Sequence, residues 1–179
     1  GTSEISGYLD SEDAQNTLKA VKELGASYQL KSNGNLLITG VSGFFKPPNK
    51  PLNLGNSGTG SRLLAGLLAG SGINAEIIGD ESLSRRPMNR IQDPLSKMGA
   101  KIKFKDQSCT LPMKIEGGGL KGITYHLPVP SAQVKSCVLF AGLFAKGETK
   151  VIEPRPTRDH TEKLFQHFNI PIEVNGCLL

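Results

Sequence analysis

Leu52-Asn53-Leu54-Gly55-Asn56-Ser57-Gly58-Thr59-Gly60-Ser61-Arg62 runs directly into Leu63-Leu64-Ala65-Gly66-Leu67-Leu68-Ala69. A short alternating apolar run meets a loop of small residues and then an apolar helix, which reads as a strand–turn–helix junction. At such a junction the free backbone N–H groups and the positive end of the helix dipole aim at one point, where an anion fits. Gly55, Gly58 and Gly60 let the backbone turn and approach a ligand, and Arg62 adds a permanent charge one turn into the helix. The spacing is not that of a familiar phosphate loop. Ser61-Arg62 stands where a P-loop needs Lys-Ser/Thr, and Leu63 stands where the dinucleotide pattern needs its third glycine. Alone, the stretch fits a glycine-rich helix start with no ligand equally well.

Reading outward, the chain repeats itself. Before the junction, Glu4-Ile5-Ser6 reads as a strand, Asp10–Asp13 as a helix cap, and Ala14, Leu18, Val21 and Leu24 as one helical face closed by Gly25. Ser27–Leu30 and Leu36–Thr39 read as strands joined by the turn Ser32-Asn33-Gly34-Asn35, and Phe44 to Pro51 as a proline-rich connector. After the junction come strand Ala75–Ile78, the segment Gly79–Pro87, and a helix from about Met88 to Met98 that Pro94 should kink or delay. Strand Lys101–Lys105 follows, with hairpin partner Leu111–Ile115. The order then recurs: strand Ile123–Leu127, an apolar helix from Ser131 through Phe144, strand Thr149–Ile152, a helix to Phe168 and strand Ile172–Val174. Leu24-Gly25-Ala26 returns as Met98-Gly99-Ala100 after 74 residues, Gly58 aligns with Ser131 after 73, and Ile77 with Val151 after 74. The expected architecture is α/β (α+β), built from β-α-β-α-β-β units: a partial unit 1–50, a unit 51–119 and a unit 120–179 within a single domain 1–179. The first unit lacks its opening strand and helix, so the chain is expected to be one stretch of a longer protein.

Composition narrows the ligand. The 179 residues suit one domain, or one domain of a larger protein, and no apolar run reaches membrane-span length. The N-terminus is polar and acidic, unlike a signal peptide. Three widely spaced cysteines, Cys109, Cys137 and Cys177, fit no metal or disulfide framework, so a cytoplasmic setting is expected. The net charge of +5 comes with three Tyr, seven Phe and no Trp, and the arginines cluster at turns and form no stripe. A small polyanion accounts for that charge better than a nucleic acid does.

Polar residues gather at equivalent junctions. In the middle unit they are Asn56, Ser57, Gly58, Thr59, Arg62, Arg85 and Arg86; in the last they are Ser131, Ala132, Gln133, Thr157, Arg158, Asp159 and His160. Units packed about a pseudo-threefold axis would collect these turns at one end, around a substrate with more than one acidic group. Plainer roles fit several of them. Arg85-Arg86 suits a solvated turn, Ser131 an N-cap, and Gln133 a surface position; Asp159 with Glu162 suits a capping box that includes His160. Lys135 is expected in solvent and Cys137 in the core. No nucleophile–base pair or metal cluster is visible.

Three motifs resemble those of the 5-enolpyruvylshikimate-3-phosphate synthases, the shikimate-pathway enolpyruvyl transferases. They are Gly55–Arg62, Gly79–Met88 and Ser131–Ser136; the closing Thr157–Glu162 is similar to the bacterial class II form. The resemblance implies an inside-out α/β barrel of three such units per domain, two domains closing on substrate at their interface. It implies that Ser131, Gln133 and the backbone of Ala132 bind shikimate-3-phosphate, with Arg158 holding it from the last motif. Arg86 would bind phosphoenolpyruvate, Gln133 would reach both ligands, Asn56, Gly58 and Thr59 would line the phosphoenolpyruvate pocket, and Arg62 would support it. Gly58 stands where the family places the glycine that the inhibitor glyphosate packs against. The resemblance implies no metal or organic cofactor, nucleic acid or membrane. The family's N-terminal Lys-Ser…Arg motif would precede Gly1, and its C-terminal domain, with the acidic proton-transfer residues, would follow; the chain alone is therefore expected to be inactive. Two alternatives stay open: the sister UDP-N-acetylglucosamine enolpyruvyl transferase, although its usual loop cysteine is replaced by Asp80–Ser84, and an RNA-binding or RNA-end-processing module on similar repeats.

Overall fold

A helix that is apolar on every side has to be buried, and the chain has two of them. They are α2 (Gly58–Gly70), in which Arg62 is the sole charged residue, and α5 (Ala132–Gly142), in which Lys135 is. The computed structural model describes residues 1–175 and places α2 against α5 in the most extensive contact between any two elements. The approach is close enough that a Cβ on Gly66 would lie 2.1 Å from the carbonyl oxygen of Cys137, so only glycine fits there.

Around this pair lie α1 (Glu12–Glu23), the short α3 (Glu81–Ser84), α4 (Asn89–Lys97) and α6 (His160–His167). Three separate sheets complete the fold. β1 (Thr2–Ile5), β3 (Leu36–Thr39) and β2 (Ser27–Leu30) form an antiparallel sheet in that order. β4 (Leu52–Asn53), β5 (Asn74–Ile78), β7 (Met113–Glu116) and β6 (Lys101–Phe104) form the second. β8 (Thr124–His126) and β9 (Lys150–Ile152) form the third. The crossovers β4–α2–β5 and β8–α5–β9 both join parallel strands, and their registers correspond: Leu52 faces Ile77 in one and Tyr125 faces Val151 in the other. The core of Leu54, Leu68, Ile77, Leu83, Ile91, Met113 and Val138 fills the space between the central helices and the second sheet.

Two expectations need correction. α4 begins at Asn89 and runs through Pro94, whose buried ring shares a face with Ile91 and Leu95; burial of that face offsets the backbone bond that proline cannot make. Ile172–Val174 is not a strand. Its counterpart β6 is held by β7, whereas 172–174 meets no partner strand among the described residues, and an unpaired strand leaves its N–H and C=O groups unsatisfied.

Candidate functional site

The glycine loop is built by its own side chains. Asn53 Oδ1 accepts from the Gly55 N–H (2.9 Å), and the Gly55 carbonyl accepts from the Asp80 N–H (2.9 Å), which ties the loop to the start of α3. Ser57 caps α2, its Oγ accepting from the Gly60 N–H at 3.1 Å, and Ser61 Oγ donates to the Gly58 carbonyl at 3.0 Å. Asp80 caps α3 through the Leu83 N–H (2.7 Å), and Arg86 leaves the end of that helix pointing back at the loop. Its Nη2 donates to Asn56 Oδ1 and, at 3.4 Å, to Ser82 Oγ.

Arg62 comes from the other side. Its Nη1 donates to Gln133 Oε1 (2.9 Å) and to the Gly58 carbonyl (3.3 Å), and its Nη2 to the Pro87 carbonyl (3.1 Å). Gln133 Nε2 in turn donates to Thr59 Oγ1 at 2.8 Å, so the first turns of α2 and α5 meet and both helix N-termini face one place. Gly58 sits between the cations: a Cβ there would lie 3.0 Å from Arg86 Nη1 and 3.1 Å from Arg62 Nη1. The structure thus gathers Asn56, Gly58, Thr59, Arg62, Arg86 and Gln133 into one cluster.

The cluster is electrostatically incomplete. Arg62 and Arg86 donate only to neutral oxygens, and neither forms an ion pair among the described residues. Burial, with the nearby Arg86 and Arg90 charges, pushes the Arg62 guanidinium below its ordinary pKa. Arg90, in the first turn of α4, is a contributor that the sequence did not announce. Two clefts of about 410 and 490 Å³ lie elsewhere, and neither is lined by these arginines.

The remaining residues divide. Ser131 caps α5, its Oγ accepting from the Val134 N–H at 3.4 Å, and Ala132 opens that helix immediately before Gln133. Arg158 is exposed and makes no hydrogen bond or ion pair among the described residues. Arg85 is the solvated member of the Arg85-Arg86 pair and meets Glu81 at the surface. Asp159 occupies the N-cap position of α6 without a side-chain cap bond and pairs with Lys163 (3.0 Å), so the capping box does not form. Glu162 turns inward instead, because Lys135 is there. Lys135 is not in solvent: it is 4% exposed, with Nζ 2.8 Å from Glu153 Oε2 and 2.5 Å from Glu162 Oε1. Cys137 is a core residue as expected, and burial pushes its thiol up to about 12. Cys177 lies outside the described residues.

The sequence matches the family model of EPSP synthase (3-phosphoshikimate 1-carboxyvinyltransferase) over residues 1–177. The chain belongs to the EPSP synthase family. Among relatives named 3-phosphoshikimate 1-carboxyvinyltransferase, that of Hydrogenovibrio crunogenus is 49% identical over 175 residues, covering 97% of this chain and 39% of the relative. That of Ruthia magnifica is 51% identical over 184 residues, covering 100% and 42%. The solved EPSP synthase of Acinetobacter baumannii superposes with a TM-score of 0.94 at 47% identity, covering 98% of this chain and 40% of that one. The mixed α/β architecture is therefore that of the EPSP synthase fold, and the chain spans about two fifths of the length of the relatives it matches. These names favour the shikimate reading over the UDP-N-acetylglucosamine transferase and the RNA module.

Proposed function

We propose that this chain is the substrate-binding half of a 3-phosphoshikimate 1-carboxyvinyltransferase, which moves the enolpyruvyl group of phosphoenolpyruvate to the 5-hydroxyl of shikimate-3-phosphate in chorismate and aromatic amino-acid biosynthesis. The observation that carries it is the pair of guanidinium groups, Arg62 and Arg86, held around Gly58 at two helix N-termini with no carboxylate among the described residues to neutralise them. A phosphate or carboxylate completes such a site.

In this reading Arg86 grips phosphoenolpyruvate in a pocket lined by Asn56, Gly58 and Thr59, while Arg62 holds Gln133 in place. The Gln133 amide keeps one N–H and one oxygen lone pair beyond its bonds to Thr59 and Arg62, enough to touch both ligands. Ser131, the Ala132 N–H and Arg158 take shikimate-3-phosphate. As the hydroxyl attacks C2 of the protonated enolpyruvyl group and phosphate leaves, the arginines bear the spreading negative charge. Proton transfer falls to a C-terminal domain, a reading supported by the greater length of the relatives. The chain alone is then inactive, since positioning depends on closure of two halves. Glyphosate as inhibitor, a cytoplasmic setting and the lack of any cofactor belong to the same reading.

Calorimetric titration of the 179-residue chain with shikimate-3-phosphate, phosphoenolpyruvate and UDP-N-acetylglucosamine tests it. Heat with shikimate-3-phosphate that Arg158→Ala and Gln133→Ala both diminish is the expected result. Binding of the nucleotide sugar alone overturns the substrate, and turnover by the chain overturns its inactivity.

A further inference from the structure

Lys135 is the one lysine buried in the core, and the site described above does not use it. It lies two residues past Gln133 on α5 and holds two acidic partners from different elements. Glu153 Oε2, at 2.8 Å, belongs to the residue that follows β9; Glu162 Oε1, at 2.5 Å, belongs to the first turn of α6. Between those two carboxylates runs the segment that carries Arg158. Its near end is fixed a second time, because Thr157 Oγ1 donates to Glu153 Oε1. Its far end is fixed where Ser136 Oγ, next to Lys135, meets Thr161 Oγ1 at 2.7 Å. Arg158 itself is exposed and unattached, so its place is set by this backbone alone.

We infer that Lys135 is a positioning residue: it pins both ends of the segment 153–162 to α5 and so sets Arg158 at a fixed distance from Ser131 and Gln133. The inference rests on the reading that Arg158 binds substrate. Burial on its own would lower the ammonium's pKa, yet its hydrogen bonds and charge contacts with Glu153 and Glu162 win and raise it, so the lysine stays charged. Removing that charge leaves the buried Glu162 and the half-buried Glu153 without their shared cation, and Glu162 Oε2 already has no hydrogen-bond partner among the described residues. The segment then has to swing outward to hydrate them. The repeat supports a dedicated role. Lys135 is the lone charged residue of α5, as Arg62 is of the equivalent helix α2. Arg62 has no counter-ion among the described residues, whereas Lys135 is neutralised by two and has no charge to offer a ligand.

The test is a double-mutant cycle on the 179-residue chain with shikimate-3-phosphate as probe, comparing Lys135→Met, Arg158→Ala and the double variant, with Lys135→Arg as the conservative replacement. Lys135→Met is expected to weaken binding about tenfold, to make Arg158→Ala almost without further effect, and to be largely rescued by Lys135→Arg. If Arg158→Ala adds its full loss in the Lys135→Met background, or if Lys135→Met leaves affinity unchanged, Lys135 does not act through Arg158 and the inference fails. Should the unsubstituted chain not bind the probe, the substrate reading falls, and amide hydrogen exchange decides the positioning claim separately. Faster exchange confined to 153–162 in Lys135→Met supports it, and uniformly faster exchange refutes it. If Lys135→Met does not fold, Glu153→Gln, which keeps the Glu162 pair, is read by the same criteria.

Discussion

Replacing Gly58 by alanine separates binding from folding. Gly58 opens α2 without a left-handed φ, so its backbone accepts a side chain without strain, and helix propensity favours alanine by at most about 1 kcal/mol. The new methyl meets only two close atoms, Arg86 Nη1 at 3.0 Å and Arg62 Nη1 at 3.1 Å; Leu83 Cδ1 at 3.8 Å is in ordinary contact. Both close atoms are ends of flexible side chains, so a shift of a few tenths of an ångström relieves the overlap and the fold is kept. Those same ends are the proposed anion ligands. Displacing them costs about one charge-assisted hydrogen bond, about 1–3 kcal/mol, which weakens phosphoenolpyruvate about 5- to 150-fold. Titration calorimetry in the presence of shikimate-3-phosphate gives the affinity, and thermal unfolding of the same samples gives the stability. A chain of this size shifts its Tm by about 2–4 °C per kcal/mol. Unchanged affinity together with a Tm lowered by several degrees would refute the reasoning, because Gly58 would then serve packing.

Asn56→Asp changes no volume and turns the Arg86 contact into an ion pair. With the cation satisfied and a negative charge added at about 5 Å, anion binding should weaken by about 3 kcal/mol in a partly solvated site, while urea unfolding shows the fold retained. Gly66→Ala attacks the fold instead: its Cβ would lie 2.1 Å from the Cys137 carbonyl oxygen and 2.9 Å from that carbonyl carbon, both backbone. Forcing α2 and α5 apart should cost about 3 kcal/mol or more in urea unfolding. Cys137 predicts an alkaline effect. Its folded value near 12 exceeds the ordinary 9.0, so the folded state holds the proton more tightly. That contribution is complete below about 9 and is lost as pH rises toward 12, and urea midpoints should fall more steeply above pH 9 in the parent than in Cys137→Ala.

Local chemistry was legible where it was sufficient. Ser27–Leu30 and Leu36–Thr39 are strands with the expected ends because alternation and turn chemistry agree: Asn33 Oδ1 accepts the Asn35 N–H at 3.0 Å, and Gly34 takes the positive φ of +81° that the turn needs. Ser57, Ser11 and Ser131 all cap helices, as small hydroxyl residues before apolar runs should. The meeting of the α2 and α5 junctions was legible through the repeat, which aligned loops far apart in sequence; Gln133 reaches Thr59 across 74 residues. What failed was anything decided by a partner that spacing does not announce. Ile172–Val174 has strand composition and no strand beside it. Glu162 has the spacing of a capping box, but a buried ammonium outbids the N-cap amide for its carboxylate. Lys135 violated the rule that lysine faces water because two acids meet it inside.

The repeat and these departures from local rules are connected. Arg62 and Lys135 stand near the starts of equivalent helices, five residues past Ser57 and four past Ser131, each the lone charged residue of its helix. A buried or half-buried cation must find a counter-charge. At Lys135 the protein supplies two, through Glu153 and Glu162, and the position becomes structural. At Arg62 it supplies, among the described residues, amide and carbonyl oxygens only, and the nearby Arg86 charge adds to burial in lowering the guanidinium's pKa. Two equivalent helices therefore carry their lone cations differently, one paired inside the fold and one held by neutral oxygens, and the difference lies in where the carboxylates are.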